Sequence, residues 1–230
     1  MIDWRHIHWV FLDMDGTLLD LHFDNQFWRE HVPLRYAQRC GMTLEQAKDE
    51  LYPRMRAVEG TMSWYCVDYW SRELDLDIAE LKRELQHLIA IHPYVVEFLD
   101  TLRRTGRRVV MITNAHRKSL ALKMERTELE GHFDRLICSH DLGRPKEQAG
   151  FWDLIRDTEP FEPHRTLLVD DSLAVLRAAR DYGITHLLAV HKPDTRGPHR
   201  GVTEFPALDD FLQVMPPEAA AQPTSSSPSA

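Results

Sequence analysis

Two acids, Asp13 and Asp15, stand two residues apart in FLDMDGTLLD, at the end of an apolar run and directly before Gly16-Thr17. Other chemistry-bearing residues hold comparable places. Thr113-Asn114 closes a second apolar run, Lys146 stands in GRPKE after a third, and Asp170-Asp171-Ser172 closes a fourth. If the runs are neighbouring strands, four acids, a hydroxyl, an amide and a lysine meet at one edge. Like charges so close disfavour ionisation, so the cluster needs a cation or raised pKa values. Magnesium suits it, because this hard ion takes one or two carboxylates together with substrate phosphate and water. A carboxylate is also a competent nucleophile, as in aspartyl-phosphate chemistry. These are the ingredients of phosphoryl transfer, in which a protein mostly positions groups and neutralises charge.

Bringing these residues together requires strands whose ends coincide. Trp9–Leu12, Arg108–Ile112, Arg135–Cys138, Thr166–Val169 and Thr185–Val190 are short apolar runs of the kind found in strands buried on both faces. Helical patterns separate the later ones. Pro93–Arg104 has Pro in its first turn and closes at Gly106, Lys118–Leu129 precedes Gly131, and Ser172–Tyr182 ends at Gly183. Strand alternating with helix predicts an α/β fold with a central parallel sheet flanked by helices on both faces. Ligands of such sheets bind beyond the carboxyl ends of the strands, where strand order reverses. All the residues named above fall at those ends, and Gly16 allows a tight turn with close backbone approach.

From residue 24 to residue 91 the alternation stops and only helical signals remain: DNQFWREHVPLRYAQRC, TLEQAKDELYPRMRAVEG, WYCVDYWSREL and IAELKRELQHLIA. Thr43 with Gln46 makes a capping-box start, and Gly41 and Gly60 punctuate. The expected organisation is a core of residues 1–23 and 92–215, an inserted all-helical subdomain over 24–91, and a disordered, proline-rich polar tail over 216–230. No internal repeat is found.

Composition narrows the class. With 43% hydrophobic and 28% charged residues in 230, the chain reads as globular. No apolar run approaches the roughly 20 residues of a membrane span, and MIDWRHIHW lacks the apolar stretch of a signal peptide, so a cytoplasmic protein without a membrane partner is expected. Three cysteines without CxxC spacing are read as free thiols rather than a disulfide framework or a cysteine zinc site. A net charge of −8 opposes binding to a nucleic-acid polymer, so any phosphate partner is expected to be small. The sequence does not set the oligomeric state, and a monomer is compatible with it.

In this order DMDGT, a strand into Thr-Asn, a lone Lys and DDS resemble the haloacid dehalogenase superfamily of phosphohydrolases, and the resemblance extends over nearly the whole chain except the tail. It implies a Rossmann-like core with a helical cap of the kind inserted between the first and second motifs, matching residues 24–91. It also implies roles. Asp13 resembles the nucleophile, and Asp15 the acid that protonates the leaving oxygen and then activates water on the aspartyl-phosphate. Thr113 and Asn114 resemble the residues that hold the transferring phosphoryl group, and Lys146 the residue that balances charge on nucleophile and phosphate. The implied cofactor is Mg2+, held by Asp13, the backbone carbonyl of Asp15, and Asp171, with Asp170 beside it as a contact through water. The dehalogenases that name the superfamily lack an acid at the position of Asp15, so carbon–halogen cleavage is not expected.

Each motif also has a bland reading: a turn for Asp13 and Asp15, helix caps for Thr113-Asn114 and for Asp170-Asp171-Ser172, a solvated charge for Lys146. Their agreement in order and placement outweighs the separate readings. A bacterial receiver domain combines similar residues, but its acid pair precedes the phosphorylated strand, and it has no helical insertion. Substrate is addressed only by the helical segment. In WYCVDYW, Tyr65 and Tyr69 share a helical face at i, i+4 with Trp64 near the turn, either as base-stacking aromatics or as core. The stretches FDNQFW, WYCVDYW, TNAHRKSLALK and GRPKE are similar to a bacterial branch of the superfamily acting on the purine 5′-nucleotides GMP and IMP. The alternatives are a phosphatase of sugar phosphates or other small metabolites, a phosphomutase, and a non-catalytic phosphate-binding module. The thirteen histidines lack an HxxxH pair with a nearby acid and are read as surface or helix-cap residues, with His116 serving a helix start.

Overall fold

Continuous apolar runs build a single sheet. In the computed structural model, which describes residues 2–217, six parallel strands are ordered β3-β2-β1-β4-β5-β6. They are β1 (Trp9–Leu12), β2 (Arg108–Thr113), β3 (Arg135–Cys138), β4 (Thr166–Val169), β5 (His186–Val190) and β6 (Ala207–Leu208). Val10 pairs with Val109 on one side and Leu167 on the other. Chain order therefore reverses between β1 and β4, which puts the switch point at the end of β1.

Period two divides the buried residues between the two faces. Val10 and Leu12, with Val109, Met111 and Val169, pack on helices Val95–Arg104 and Arg117–Thr127. Phe11, with Val110, Ile112 and Leu168, packs on helices Phe151–Thr158 and Leu173–Tyr182. Each large apolar side chain removed from water contributes roughly 1.5–3 kcal/mol, so both faces hold the strand ends in place. Helix Phe151–Thr158 and the two-residue β6 were not foreseen. The first lacks a side-chain N-cap, Gly150 preceding it at φ +82, and the second is too short to show alternation. Helix Val95–Arg104 begins two residues after Pro93, because Tyr94 adopts a left-handed φ of +63.

Residues 22–88 contain only helical elements, and they carry their own hydrophobic cluster around Phe27, Leu51, Trp70 and Ile78. Thr43 and Gln46 form the capping box in both directions. The segment Phe27–His31 winds as one π-helical turn, a form that often marks functional positions. The two passages between this helical unit and the sheet run side by side: Asp20 N–H donates to Ala90 O at 2.9 Å and His92 N–H to Leu18 O at 2.9 Å. No helix among the described residues is long and apolar enough to cross a membrane. The expected tail lies outside the described residues except for Pro216 and Pro217.

Candidate active site

At the end of β1 the Asp13 N–H donates to Val169 O at 3.0 Å, carrying the β1–β4 register one residue further and fixing the Asp13 side chain at the switch point. The turn that follows depends on Gly16. Its φ is +86, and a Cβ there would come within 2.8 Å of the Asp171 carboxylate. A side chain at this position is excluded both by conformation and by space, and the bare backbone lets the first acidic turn lie against the second.

Lys146 ties the strand ends together. Its Nζ donates to Asp13 Oδ1 at 2.5 Å, to Asp170 Oδ2 at 2.6 Å and to Ile112 O at 3.2 Å. Its backbone N–H donates to Asn114 Oδ1 at 2.9 Å, and Asn114 Nδ2 donates to Glu147 Oε2 at 2.8 Å. The buried Thr113 accepts the Ala115 N–H on its hydroxyl at 3.0 Å, which shapes the turn after β2. Asp13, Lys146 and Asp170 are all buried. Burial pushes Asp13 and Asp170 up to about 6 against the pull of Lys146, and it pushes Asp171 to about 7 with Asp13 adding to the effect. Burial opposes the charge on Lys146, but Asp13 and Asp170 outweigh it and hold the ammonium protonated.

Replacing Lys146 by Met leaves two buried carboxylates without their cation, and a broken buried pair costs about 3–5 kcal/mol. Turnover is expected to fall by about 10²–10³, the usual cost of losing one charge-stabilising donor. The pH dependence of the stability has a definite sign. Carboxylates whose folded pKa lies above the unfolded value lose stability as pH rises between the two, so the deficit is smaller at pH 5 than at pH 8. Melting temperatures of Lys146→Met against wild type across this range check it.

A second charge network surrounds Asp15. Lys123 Nζ donates to Asp15 Oδ1 at 2.6 Å and to Asp24 Oδ2 at 2.5 Å, and Lys82 Nζ donates to Asp24 Oδ1 at 3.0 Å. Burial raises Asp15 to about 6, Lys123 lowering it and Asp24 raising it. Asp24 is held down to about 2, because Lys123 and Lys82 together overcome its burial. Asp15 thus holds a proton more readily than an exposed carboxylate, while Asp24 stays charged.

The donors fit a hard divalent ion. Asp13, Asp170 and Asp171 each offer a carboxylate oxygen within 4.8 Å of the others. Burial raises the proton affinities of all three, with repulsion between neighbouring carboxylates adding to it, and a dication offsets both. Asp170 already spends both oxygens, on the Ser172 N–H at 2.9 Å and on Lys146, whereas Asp171 engages Arg200 Nη1 through Oδ2 at 3.1 Å.

Between the sheet edge and the helical unit lies a cleft of about 630 Å³ that reaches Asp13, Asp15, Thr113, Asn114, Lys146, Asp170 and Asp171. Its opposite wall includes Trp28, Arg29, Tyr52, Arg56, Trp64 and Tyr65. Trp28 and Arg29 lie on the π-helical turn. Tyr65 OH donates to Glu147 Oε1 at 2.8 Å and so joins the two walls. Tyr69 is not on the cleft. It packs in the helical unit's own cluster, edge-on to Trp70. The i, i+4 pairing with Tyr65 fails because the chain is extended at Cys66 (φ −87, ψ 110), which ends helix Met62–Tyr65 and starts helix Val67–Leu74. His116 caps helix Arg117–Thr127, its Nδ1 accepting the Lys118 N–H at 3.3 Å.

Sequence reasoning missed Lys123, Asp24, Lys82, Glu147 and Arg200. The available signal for Lys123 was a charge three residues from Leu120 and next to Met124, at positions where the helix buries apolar side chains. Glu147 stood next to Lys146 in GRPKE. The polar loop after β5, residues 191–201, borders the site through Arg200. It also clasps the passage into the helical unit, with Leu21 N–H donating to Pro193 O at 2.8 Å and Asn25 Nδ2 to Asp194 Oδ2 at 2.7 Å.

Comparison with known proteins agrees with this geometry. Residues 7–183 match the family described as haloacid dehalogenase-like hydrolase. The chain is 37% identical over 215 residues to the GMP/IMP nucleotidase YrfG of Escherichia coli (strain K12), covering 94% of this chain and 97% of that protein. It is 28% identical over 194 residues to the phosphoglycolate phosphatase of Nitrosospira multiformis, covering 79% of this chain and 82% of that one. A solved HAD phosphatase from Thermococcus onnurineus superposes with a TM-score of 0.74 at 20% identity, over 90% of this chain and 95% of its own, a likeness of fold.

Proposed function

Because the chain belongs to the haloacid dehalogenase-like hydrolases and is a phosphatase of that family, we propose that it removes the 5′-phosphate of the purine nucleotides GMP and IMP through an aspartyl-phosphate on Asp13. The observation that carries this reading is one cleft with the strand-end acids on one wall and aromatic and arginine side chains on the other.

In the proposed reaction the Asp13 carboxylate attacks phosphorus while Asp15 gives its proton to the departing ribose oxygen. Water then attacks the same phosphorus, Asp15 takes the proton back, and Asp13 leaves as a carboxylate with inorganic phosphate. Thr113 and Asn114 hold the phosphoryl oxygens, and Lys146 balances charge between Asp13 and the phosphate. Asp13, Asp171 and the backbone carbonyl of Asp15 would hold Mg2+ directly, with Asp170 through water. Bound Mg2+ neutralises charge on the nucleophile and the phosphate. Residues 24–91 act as the cap on a core of 1–23 and 92–215, excluding bulk water when closed. Trp28, Trp64 and Tyr65 face the nucleoside. Guanine and hypoxanthine share an N1–H donor and an O6 acceptor, which Glu59 and the arginines Arg29 and Arg56 complement; adenine reverses that pattern. Three free cysteines accord with a reducing compartment, and the enzyme is taken as cytoplasmic.

Phosphate release from GMP, IMP, AMP, pyrimidine nucleotides, phosphoglycolate and sugar phosphates, with Mg2+ or with EDTA, tests the proposal. GMP and IMP are expected to exceed AMP by about tenfold or more in kcat/KM, and EDTA to abolish release. Release from sugar phosphates with none from GMP or IMP overturns the substrate and leaves the phosphatase standing.

A further inference from the structure

Cys66, His116 and His140 share no sequence motif, yet three elements bring them together. Cys66 is the extended junction between two helices of the helical unit, His116 caps the helix after β2, and His140 lies in the first turn of helix Ser139–Leu142 after β3. One sulfur and two ring nitrogens lie within 4.8 Å of one another. The two imidazoles meet edge to face at 4.9 Å between centroids. Asp68 adds a fourth donor from the Cys66 side, its Oδ2 being 3.7 Å from His116 Nε2.

Two features of the cluster ask for a ligand. Both ring nitrogens of His140 are buried and neither has a hydrogen-bond partner, which is costly for an imidazole. His116 spends Nδ1 on the Lys118 N–H and directs Nε2 toward Asp68. Cys66 Sγ accepts the Tyr69 N–H at 3.3 Å, which aims the sulfur from the helix start. Burial drives His140 down to about 4, with His116 adding to the effect, and burial lowers His116 as well, so both rings keep a lone pair at neutral pH.

We propose that Cys66, His116 and His140, with Asp68 or water in the fourth position, bind a borderline-soft divalent transition ion, zinc by the chemistry of the donors, at a site separate from the carboxylate cluster. Sulfur and nitrogen donors disfavour Mg2+, so the two sites select different ions. Tetrahedral coordination at about 2.0–2.3 Å per bond requires the donor atoms to close by roughly 1 Å. On binding, the thiol proton passes to solvent, the neutral His140 ring enters unchanged, and the neutral His116 ring shifts its proton from Nε2 to Nδ1 and gives up the Lys118 N–H, so that Nε2 is free to bind. Cys66 and Asp68 belong to the helical unit, and His116 and His140 to the segments that follow β2 and β3. The ion therefore fastens one wall of the cleft to the other, and it slows turnover by opposing opening.

The experiment uses the full chain, reduced, in excess Mg2+, titrated with Co2+ as a spectroscopic stand-in for Zn2+. One equivalent is expected to produce a thiolate-to-cobalt charge-transfer band that Zn2+ abolishes. Cys66→Ser is expected to lose the band, and His140→Gln to weaken Co2+ binding by about tenfold or more. Both variants retain Mg2+-supported turnover and escape inhibition by Zn2+. In wild type, Zn2+ also protects Cys66 from alkylation, read by peptide mass spectrometry with the exposed Cys40 as internal control. The absence of the band, or equal alkylation of Cys66 with and without Zn2+, overturns the proposal. Neither readout requires a substrate, so the result stands apart from the nucleotidase reading.

Discussion

Asp13→Asn is expected to give a folded protein whose turnover falls by about 10⁴-fold or more, a loss of about 5.5 kcal/mol in transition-state stabilisation. An amide oxygen is too poor a nucleophile toward phosphorus to form the covalent intermediate, and no other carboxylate takes its place. Asp15 is held by Lys123, and Asp170 spends both oxygens on Ser172 and Lys146. The fold, in contrast, loses little. The Asn carbonyl accepts from Lys146 as Asp13 does, and the Asp13 backbone bond to Val169 is unaffected. Asp13 is pushed up to about 6 by burial, so its charge is a cost to the folded chain in the absence of a dication. The melting temperature without Mg2+ is expected to equal or exceed that of wild type, and the increase on adding Mg2+ to be smaller. Steady-state phosphate release and thermal melts with and without Mg2+ check both halves. An active Asp13→Asn sinks the covalent mechanism, and an unfolded one sinks the account of the charge cluster.

The sheet was legible because β1 to β5 are apolar runs long enough to show their burial, and the acids at their ends follow from parallel topology. Asp13, Thr113, Asn114, Asp170 and Asp171 each stand where a buried strand meets a turn, a place local pattern can locate, and Lys146 stands in the loop beyond β3 and the helix Ser139–Leu142. The network around Asp15 was not legible. Lys123, Asp24 and Lys82 come from three elements, and their meeting depends on how the helical unit sits on the sheet. The same holds for Cys66, His116 and His140, whose spacing resembles no ligand motif. The shared face of Tyr65 and Tyr69 failed for a local reason, and of its two readings Tyr69 takes the core one. One continuous helix was assumed where the extended backbone of Cys66 breaks it, and the break rotates everything after it.

Asp15→Asn is expected to divide the reaction in two. With GMP or IMP, whose ribose oxygen needs a proton to depart, turnover is expected to fall by about 10²–10⁴, the usual worth of a placed acid or base. With p-nitrophenyl phosphate, whose leaving group is stable as an anion, the first step needs little help and formation of the aspartyl-phosphate survives. The second step still lacks the base that activates water, so the variant is expected to release one equivalent of nitrophenol per active site and then stall. The environment of Asp15 supports this double role. Burial and Asp24 raise its proton affinity while Lys123 lowers it, leaving it at about 6, where giving and regaining a proton are both accessible. The fold tolerates the change because Lys123 keeps Asp24 at 2.5 Å. Rapid-quench measurement of nitrophenol and of protein-bound phosphate decides the matter. A loss of equal size for both substrates, without a burst, assigns Asp15 to anchoring Lys123 and removes it from proton transfer.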